Sequence, residues 1–180
     1  MKNRTKLFLL TFLLLLTFSL PAFADNTFHN VFGEVYFSPD GGCTEAIVNE
    51  ISQAKSEIHV QAYSFTSVPI AKALVAAYKR GIIVEVILDK SQRKERYTSA
   101  TFLANAGIPT YIDDKHSIAH SKILLIDKEI VITGSFNFTK AAEEKNAENL
   151  LILKSKELAR QYLMNWTKHK EHSDSYSGRE

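Results

Sequence analysis

Cysteine is almost missing from this chain: Cys43 is the single one in 180 residues. That excludes an intrachain disulfide and a thiolate zinc cluster. It leaves a buried thiol, which a place near the start of a predicted helix favours, or a bridge between two chains. Beyond residue 24 the chain lacks any apolar run of the roughly 20 residues that a membrane-spanning helix needs. Internal repeats and low-complexity linkers are missing as well. So is a strong excess of one charge, with 22 basic and 20 acidic residues.

The first 24 residues differ from the rest. Lys2, Arg4 and Lys6 are followed by an almost unbroken run of Leu, Phe and Thr over residues 7–18, then by Pro21-Ala22-Phe23-Ala24. A basic start, an apolar middle and small residues before a cleavage point are the three parts of a secretory signal peptide. The apolar stretch is too short for a spanning anchor. Residues 1–24 are therefore predicted to be a signal peptide and residues 25–180 a single domain, exported to the periplasm or secreted. Setting the leader aside leaves 19 basic and 20 acidic residues, a formal charge of −1. Any hold on a polyanion must then be local rather than a property of the whole surface.

Periodicity predicts strands over residues 31–38, 57–65, 82–88, 110–113, 119–126, 130–134 and 149–153. Helices are predicted over 44–55, 68–80, 92–106 and 156–170, with a short helix or loop over 138–145. Residues 172–180 read as a polar, frayed end. The alternation predicts an α/β fold: a mixed, largely parallel sheet flanked by helices on both faces, parallel in its first half, with an antiparallel hairpin inserted.

The chemistry concentrates after residue 118. His120 and Lys122 stand two apart in a predicted strand, so both project from one face. Ser135 and Asn137 follow the Gly134 breaker and add a hydroxyl and an amide. A phosphodiester is an anion that repels nucleophiles. Its cleavage needs charge neutralisation, a nucleophile and an acid for the leaving oxygen. Lys122, Ser135 and Asn137 suit the non-bridging oxygens, and an imidazole that titrates near neutrality suits attack or proton donation.

The run His120-x-Lys122-x4-Asp127-x6-Gly134-Ser135-x-Asn137 resembles the HKD motif of the phospholipase D superfamily. Glu148 within Asn146-Ala147-Glu148-Asn149 resembles that family's acidic residue, which orients the catalytic histidine. Residues 58–65 resemble the strand before the first helix pair of such domains. The resemblance spans most of residues 30–170, and size, leader and single motif fit the small exported bacterial endonucleases of the superfamily. It implies a phosphohistidine mechanism without cofactor or metal, and the local sequence offers no carboxylate cluster spaced for divalent ions.

Larger members carry two motifs, and this chain has one. In-line displacement needs nucleophile and acid on opposite sides of phosphorus, which one imidazole cannot supply. A two-fold homodimer with one shared site resolves this. In it Glu148 of each chain would orient His120 and stabilise imidazolium. The expected substrate is DNA, which a histidine mechanism allows because it needs no 2′-hydroxyl, with RNA as a second candidate. A lipid head-group hydrolase is the alternative, lowered by the lack of an amphipathic membrane-binding stretch. A silent nucleic-acid-binding module is another. Asp127, in the hairpin connection, and Gly134 are expected to be structural. His59 shares a strand face with Gln61 and Tyr63 and is either structural or cleft-lining. His29, His116, His169 and His172 are expected to face solvent. Lys90, Arg93, Lys94 and Arg96 are read as a solvated helix face or a phosphate track beside the site.

Overall fold

The computed structural model describes residues 31–95 and 97–178; the predicted signal peptide, His29 and Arg96 lie outside the described residues. Among these, eight strands form one sheet: β1 (Phe32–Ser38), β2 (Glu57–Ala62), β3 (Ile83–Asp89), β4 (Thr110–Asp113), β5 (Lys122–Ile126), β6 (Ile130–Gly134), β7 (Glu148–Lys154) and β8 (Asp174–Tyr176). The helices are α1 (Cys43–Gln53), α2 (Val68–Lys79), α3 (Ala100–Asn105), α4 (Lys140–Glu144) and α5 (Lys156–Glu171). The strand order is β1-β7-β6-β5-β2-β3-β4-β8. A mixed sheet between helices is what the sequence predicts. Its parallel part is confined to β2–β3 and β3–β4. Every other pairing is antiparallel, so "largely parallel" holds for that block alone. The reason is connectivity. Helical crossovers join β2, β3 and β4, whereas a tight turn joins β5 to β6, and links that carry α4 and α5 bring β7 and β8 back antiparallel to their neighbours.

Side-chain alternation divides the apolar residues between two cores. Val60, Val86, Leu124, Ile132 and Ile152 join Ile47, Ile51, Ile70 and Leu74 of α1 and α2. Ile87, Ile123, Leu125 and Val131 face the other way, onto Leu158, Ala159 and Trp166 of α5. Both alternating sets of β5 are therefore buried, and the strand is covered on both faces. Each such aliphatic side chain stabilises the fold by roughly 1.5–3 kcal/mol when fully buried. Cys43 is fully buried. Burial first, and the Glu143 charge second, push its thiol up to about 11, so it is placed as an inert core residue rather than a bridge.

Two predicted segments differ. Residues 92–106 do not form one helix. A 3-10 turn (Lys90–Arg93) comes first, and α3 starts only at Ala100. The polar first half has no apolar stripe to bury, and Gln92 turns inward, accepting from Phe65 N–H and Thr98 Oγ1. The end of the chain is not frayed over 174–176. There β8 pairs with β4, Tyr176 is buried, and its hydroxyl meets Thr101 Oγ1 at 2.9 Å.

Asp127 lies at the far end of β5 from His120, in a tight turn. Asp127 and Lys128 both take positive φ, 55° and 56°, and Glu129 N–H donates to the Ile126 carbonyl, as in the type I′ turns that suit hairpins. The carboxylate accepts from Lys55 N–H (2.9 Å), Ser56 N–H (2.7 Å), Ser56 Oγ (2.8 Å) and Glu57 N–H (3.2 Å), and so ties the hairpin to the α1–β2 connection. Burial pushes this carboxyl up, but these donors outweigh it and hold it below the usual range. A depressed carboxylate stabilises above its unfolded pKa, about 3.9, and that contribution is lost as pH falls through the lower folded value. Asp127→Ala is expected to cost about 2–3 kcal/mol at neutral pH and to flatten the acid limb of the stability curve. Urea melts at pH 7 and below pH 4 check both.

Candidate active site

The candidate residues gather at one end of the sheet. Ala62 of β2 pairs with Lys122 of β5, Gly134 of β6 with Leu150 of β7, and Ser38 of β1 with Glu148 of β7. A cleft of about 640 Å³ opens there, lined by His120, Lys122, Gly134, Ser135, Asn137 and Glu148, with Tyr162 and Asn165 from α5. Of the motif, only Asp127 lies elsewhere.

His120 is not in the strand. β5 begins at Lys122, and His120 stands just before it, exposed in the cleft. Its place is fixed from both sides. Tyr63 N–H donates to the Ser121 carbonyl at 2.9 Å. The buried Asp89 carboxylate accepts from Ala119 N–H at 2.7 Å. The Tyr63 ring packs against the imidazole, centroids 4.6 Å apart, and Lys122 Nζ lies 5.0 Å from the same ring. Lys122 is 6 % exposed, and its ammonium donates to the His120 carbonyl at 2.7 Å. Burial lowers its pKa, and the Glu148 charge partly restores it.

Gly134 is needed for its missing side chain: a Cβ would stand 2.2 Å from the Asn149 carbonyl oxygen. That close approach lets β6 turn sharply into Ser135 and Asn137. Ser135 Oγ accepts from Asn149 N–H (3.1 Å) and Nδ2 (3.3 Å). Its own proton remains to donate into the cleft. Asn137 presents its amide at the cleft wall, with a buried Oδ1 that has no partner among the described residues. Glu148 opens β7, half-buried, and accepts from Asn146 Nδ2 at 3.1 Å. The set therefore combines an exposed imidazole, a buried cation, an amide, a hydroxyl and a carboxylate around one open cleft.

Asp89 went unnoticed in the sequence, and Tyr63 was noted only for its place in residues 58–65 and on the strand face of His59, because their roles are contacts to a segment far along the chain. Of the basic residues near position 90, Lys90 donates to the His116 carbonyl at 3.0 Å and Arg93 pairs with Asp174 at 3.1 Å. They nevertheless line, with Lys94 and Tyr63, a second hollow of about 490 Å³. Tyr63 is also the residue packed on His120, so the two hollows adjoin.

His59 is structural. It is 8 % exposed, packs on Trp166 at 4.6 Å, and faces Glu57 and Glu85 at 3.4 and 3.5 Å. Burial lowers its pKa against the pull of both carboxylates. His169 and His172 do not face solvent as expected. With His116 they surround the fully buried Asp113 at the end of β4. Helix α5 brings them there, a contact that local sequence does not carry.

A mixed sheet with an HKD constellation at one end defines the phospholipase D superfamily, and the chain belongs to it. The family model described as cardiolipin synthase, PLD-like domain, matches residues 47–169. This is a family of phosphodiester-cleaving enzymes. A protein named phospholipase D from Rickettsia conorii is 45% identical over 134 residues, 74% of this chain and 67% of that protein. The crystal structure of Nuc from Salmonella typhimurium, a phospholipase D family member, superposes with a TM-score of 0.78. It is 38% identical, and the match covers 82% of this chain and 99% of that one. NucT from Helicobacter pylori, 24% identical, shares the fold with a TM-score of 0.76 over 82% of this chain and 100% of its own. Among the described residues no helix is long and apolar enough to cross a membrane.

Proposed function

We propose that this protein is an exported, sequence-nonspecific endonuclease that hydrolyses DNA, and RNA where it fits, at a site shared by two copies of the chain. The observation that carries the reading is the convergence of His120, Lys122, Asn137 and Glu148 on one cleft. The match to Nuc over nearly all of that protein's length supports it.

In the proposed cycle Lys122, Asn137 and Ser135 hold the non-bridging oxygens. One His120 imidazole attacks phosphorus, forming a P–N bond as the P–O bond to the leaving nucleoside breaks. The partner's His120 gives its proton to that oxygen. The now neutral imidazole takes a proton from water, whose oxygen attacks phosphorus and breaks the P–N bond. Glu148 orients the imidazole and stabilises its charged form, the role a carboxylate has in hydrolase triads. Every group comes from the chain, so catalysis needs no metal.

The sheet offers a place for the second copy. Val35 pairs with Leu151, Leu151 with Thr133 and Thr133 with Ile123, and the last two line the cleft. On β1 this row ends in Val35 and Phe37, which are 52 % and 64 % exposed. An apolar ledge that runs to the mouth of half a site is where a two-fold partner would bring the other half.

Supercoiled plasmid incubated with the protein in excess EDTA should be nicked between pH 5 and 8, with no preferred sequence at the ends. Intact plasmid across that range would refute the nuclease reading. The relatives named phospholipase D favour a second reading, lipid head-group hydrolysis. Release of head group from phospholipid vesicles faster than plasmid nicking would favour it. DNA binding without turnover, unchanged in His120→Ala, would favour a silent module.

A further inference from the structure

We infer that Asp113, His116, His169 and His172 form a binding site for a divalent transition ion of the zinc type, separate from the catalytic cleft. The four residues come from three places: the end of β4, the segment that leads to His120, and the last turn of α5 with the residue after it. Helix α5 and β4 are far apart in sequence, so only the fold assembles the set.

The geometry suits one small ion. One donor atom from each residue lies within 4.8 Å of all the others. His169 Nδ1 stands 2.7 Å from Asp113 Oδ2, His116 Nδ1 3.1 Å from both carboxylate oxygens, and His172 Nε2 3.4 Å from Oδ1. Four ligands on tetrahedral bonds of about 2.1 Å stand about 3.4 Å apart. The spacings from Asp113 to the three rings match this edge, and the wider pairs in the set, within 4.8 Å, would close onto an ion by side-chain rotation. The three rings crowd together, with centroids 4.9, 5.2 and 5.3 Å apart.

The donor chemistry narrows the occupant. Three imidazoles and one carboxylate suit zinc and its neighbours, whereas calcium and magnesium take oxygen ligands. The carboxylate is fully buried and already accepts from Lys115 N–H at 3.2 Å, the kind of outer bond that orients a metal ligand. His172 Nε2 is buried and makes no hydrogen bond. A cation bound by the nitrogen lone pairs would give this buried nitrogen the partner it lacks.

The site would act as a staple. His116 lies four residues before His120, and its carbonyl accepts from Lys90 Nζ. An ion at Asp113 clamps the amino end of the segment that Asp89 holds at Ala119. It also fastens α5, which supplies Tyr162 and Asn165 to the cleft. No catalytic step runs through this ion, so it is compatible with cleavage in EDTA.

The test uses chain stripped with chelator and dialysed, then titrated with zinc and, separately, with cobalt(II). One equivalent per chain is expected, with the strong visible bands of tetrahedral cobalt and a zinc-induced rise in Tm of about 5 °C or more. His169→Ala/His172→Ala should lose the bound equivalent, the bands and the Tm shift. At low temperature it should keep EDTA-resistant plasmid nicking. His172→Gln, which leaves three ligands and disturbs the fold least, should weaken binding and alter the bands. Less than a fifth of an equivalent bound by wild type at micromolar zinc would overturn the inference. So would binding that persists unchanged in the double variant. None of these binding readouts depends on turnover, so failure of the nuclease reading leaves them intact.

Discussion

His120→Ala is expected to abolish phosphodiester cleavage, lowering turnover by at least about 1,000-fold, because nucleophile and acid are lost together. The exposed imidazole touches its surroundings chiefly through the Tyr63 ring, so its loss should leave the Tm nearly unchanged. The sharper expectation concerns mixtures. If one cleft uses both His120 residues, a mixed dimer has a nucleophile or an acid but never both. Co-refolding wild type with equal His120→Ala chain should then leave about half the activity per wild-type chain, and a threefold excess about a quarter, as random pairing requires. Wild type quenched during turnover in alkaline denaturant, where a P–N bond survives, should carry a nucleotidyl phosphoryl group on His120, and the variant none. Activity per wild-type chain that stays constant across mixtures would show that each chain works alone.

Phe37→Glu together with Val35→Glu is expected to yield a folded monomer with less than about one hundredth of wild-type activity. The reasoning is physical. Both side chains are exposed on the β1 face that continues the Leu151–Thr133–Ile123 row, so charges there disturb no core packing. They would place four like charges across a two-fold interface. Like charges juxtaposed there cost several kcal/mol, enough to shift a micromolar dimer to monomer. Sedimentation measures the oligomeric state, far-ultraviolet dichroism the fold, and plasmid nicking the activity. A dimer that persists would move the interface elsewhere. A monomer of full activity would refute the shared site. Restoring the dimer with a linked tandem chain should restore turnover, which separates a lost interface from a damaged cleft.

The cleft and the interface rest on the sequence to different degrees. His120, Lys122, Ser135 and Asn137 could be read as one constellation because the hairpin of β5 and β6 fixes their spacing, whereas Glu148, beyond α4, came in through the family resemblance. Asp127 could be set apart for the same reason, since a turn residue between two strands cannot reach the end where they begin. Tyr63 and Asp89 could not be read. Each acts on the His120 segment from strands that precede it by dozens of residues. The helix predicted over 92–106 failed where Gln92 gave up local periodicity for hydrogen bonds to Phe65 and Thr98.

The histidines make the division plain. By itself the sequence pointed, through a family resemblance, to the reaction class and to the residues that the fold gathers in one cleft, because motif spacing along adjacent strands translates directly into proximity. It also determined the alternation that divides β5 between two cores. The tertiary structure decided everything that depends on pairing distant segments. It confined the parallel pairings to β2–β3–β4, put His59 beneath α5 against Trp166, and gathered His116, His169 and His172 around Asp113. His169 and His172 looked solvent-facing because they sit near the end of the chain, while His116, in a polar loop, is exposed as expected even though its ring reaches Asp113. Packing α5 across the sheet, driven by burial of Leu158, Ala159 and Trp166, carries its polar end to the end of β4, where a buried carboxylate awaits partners.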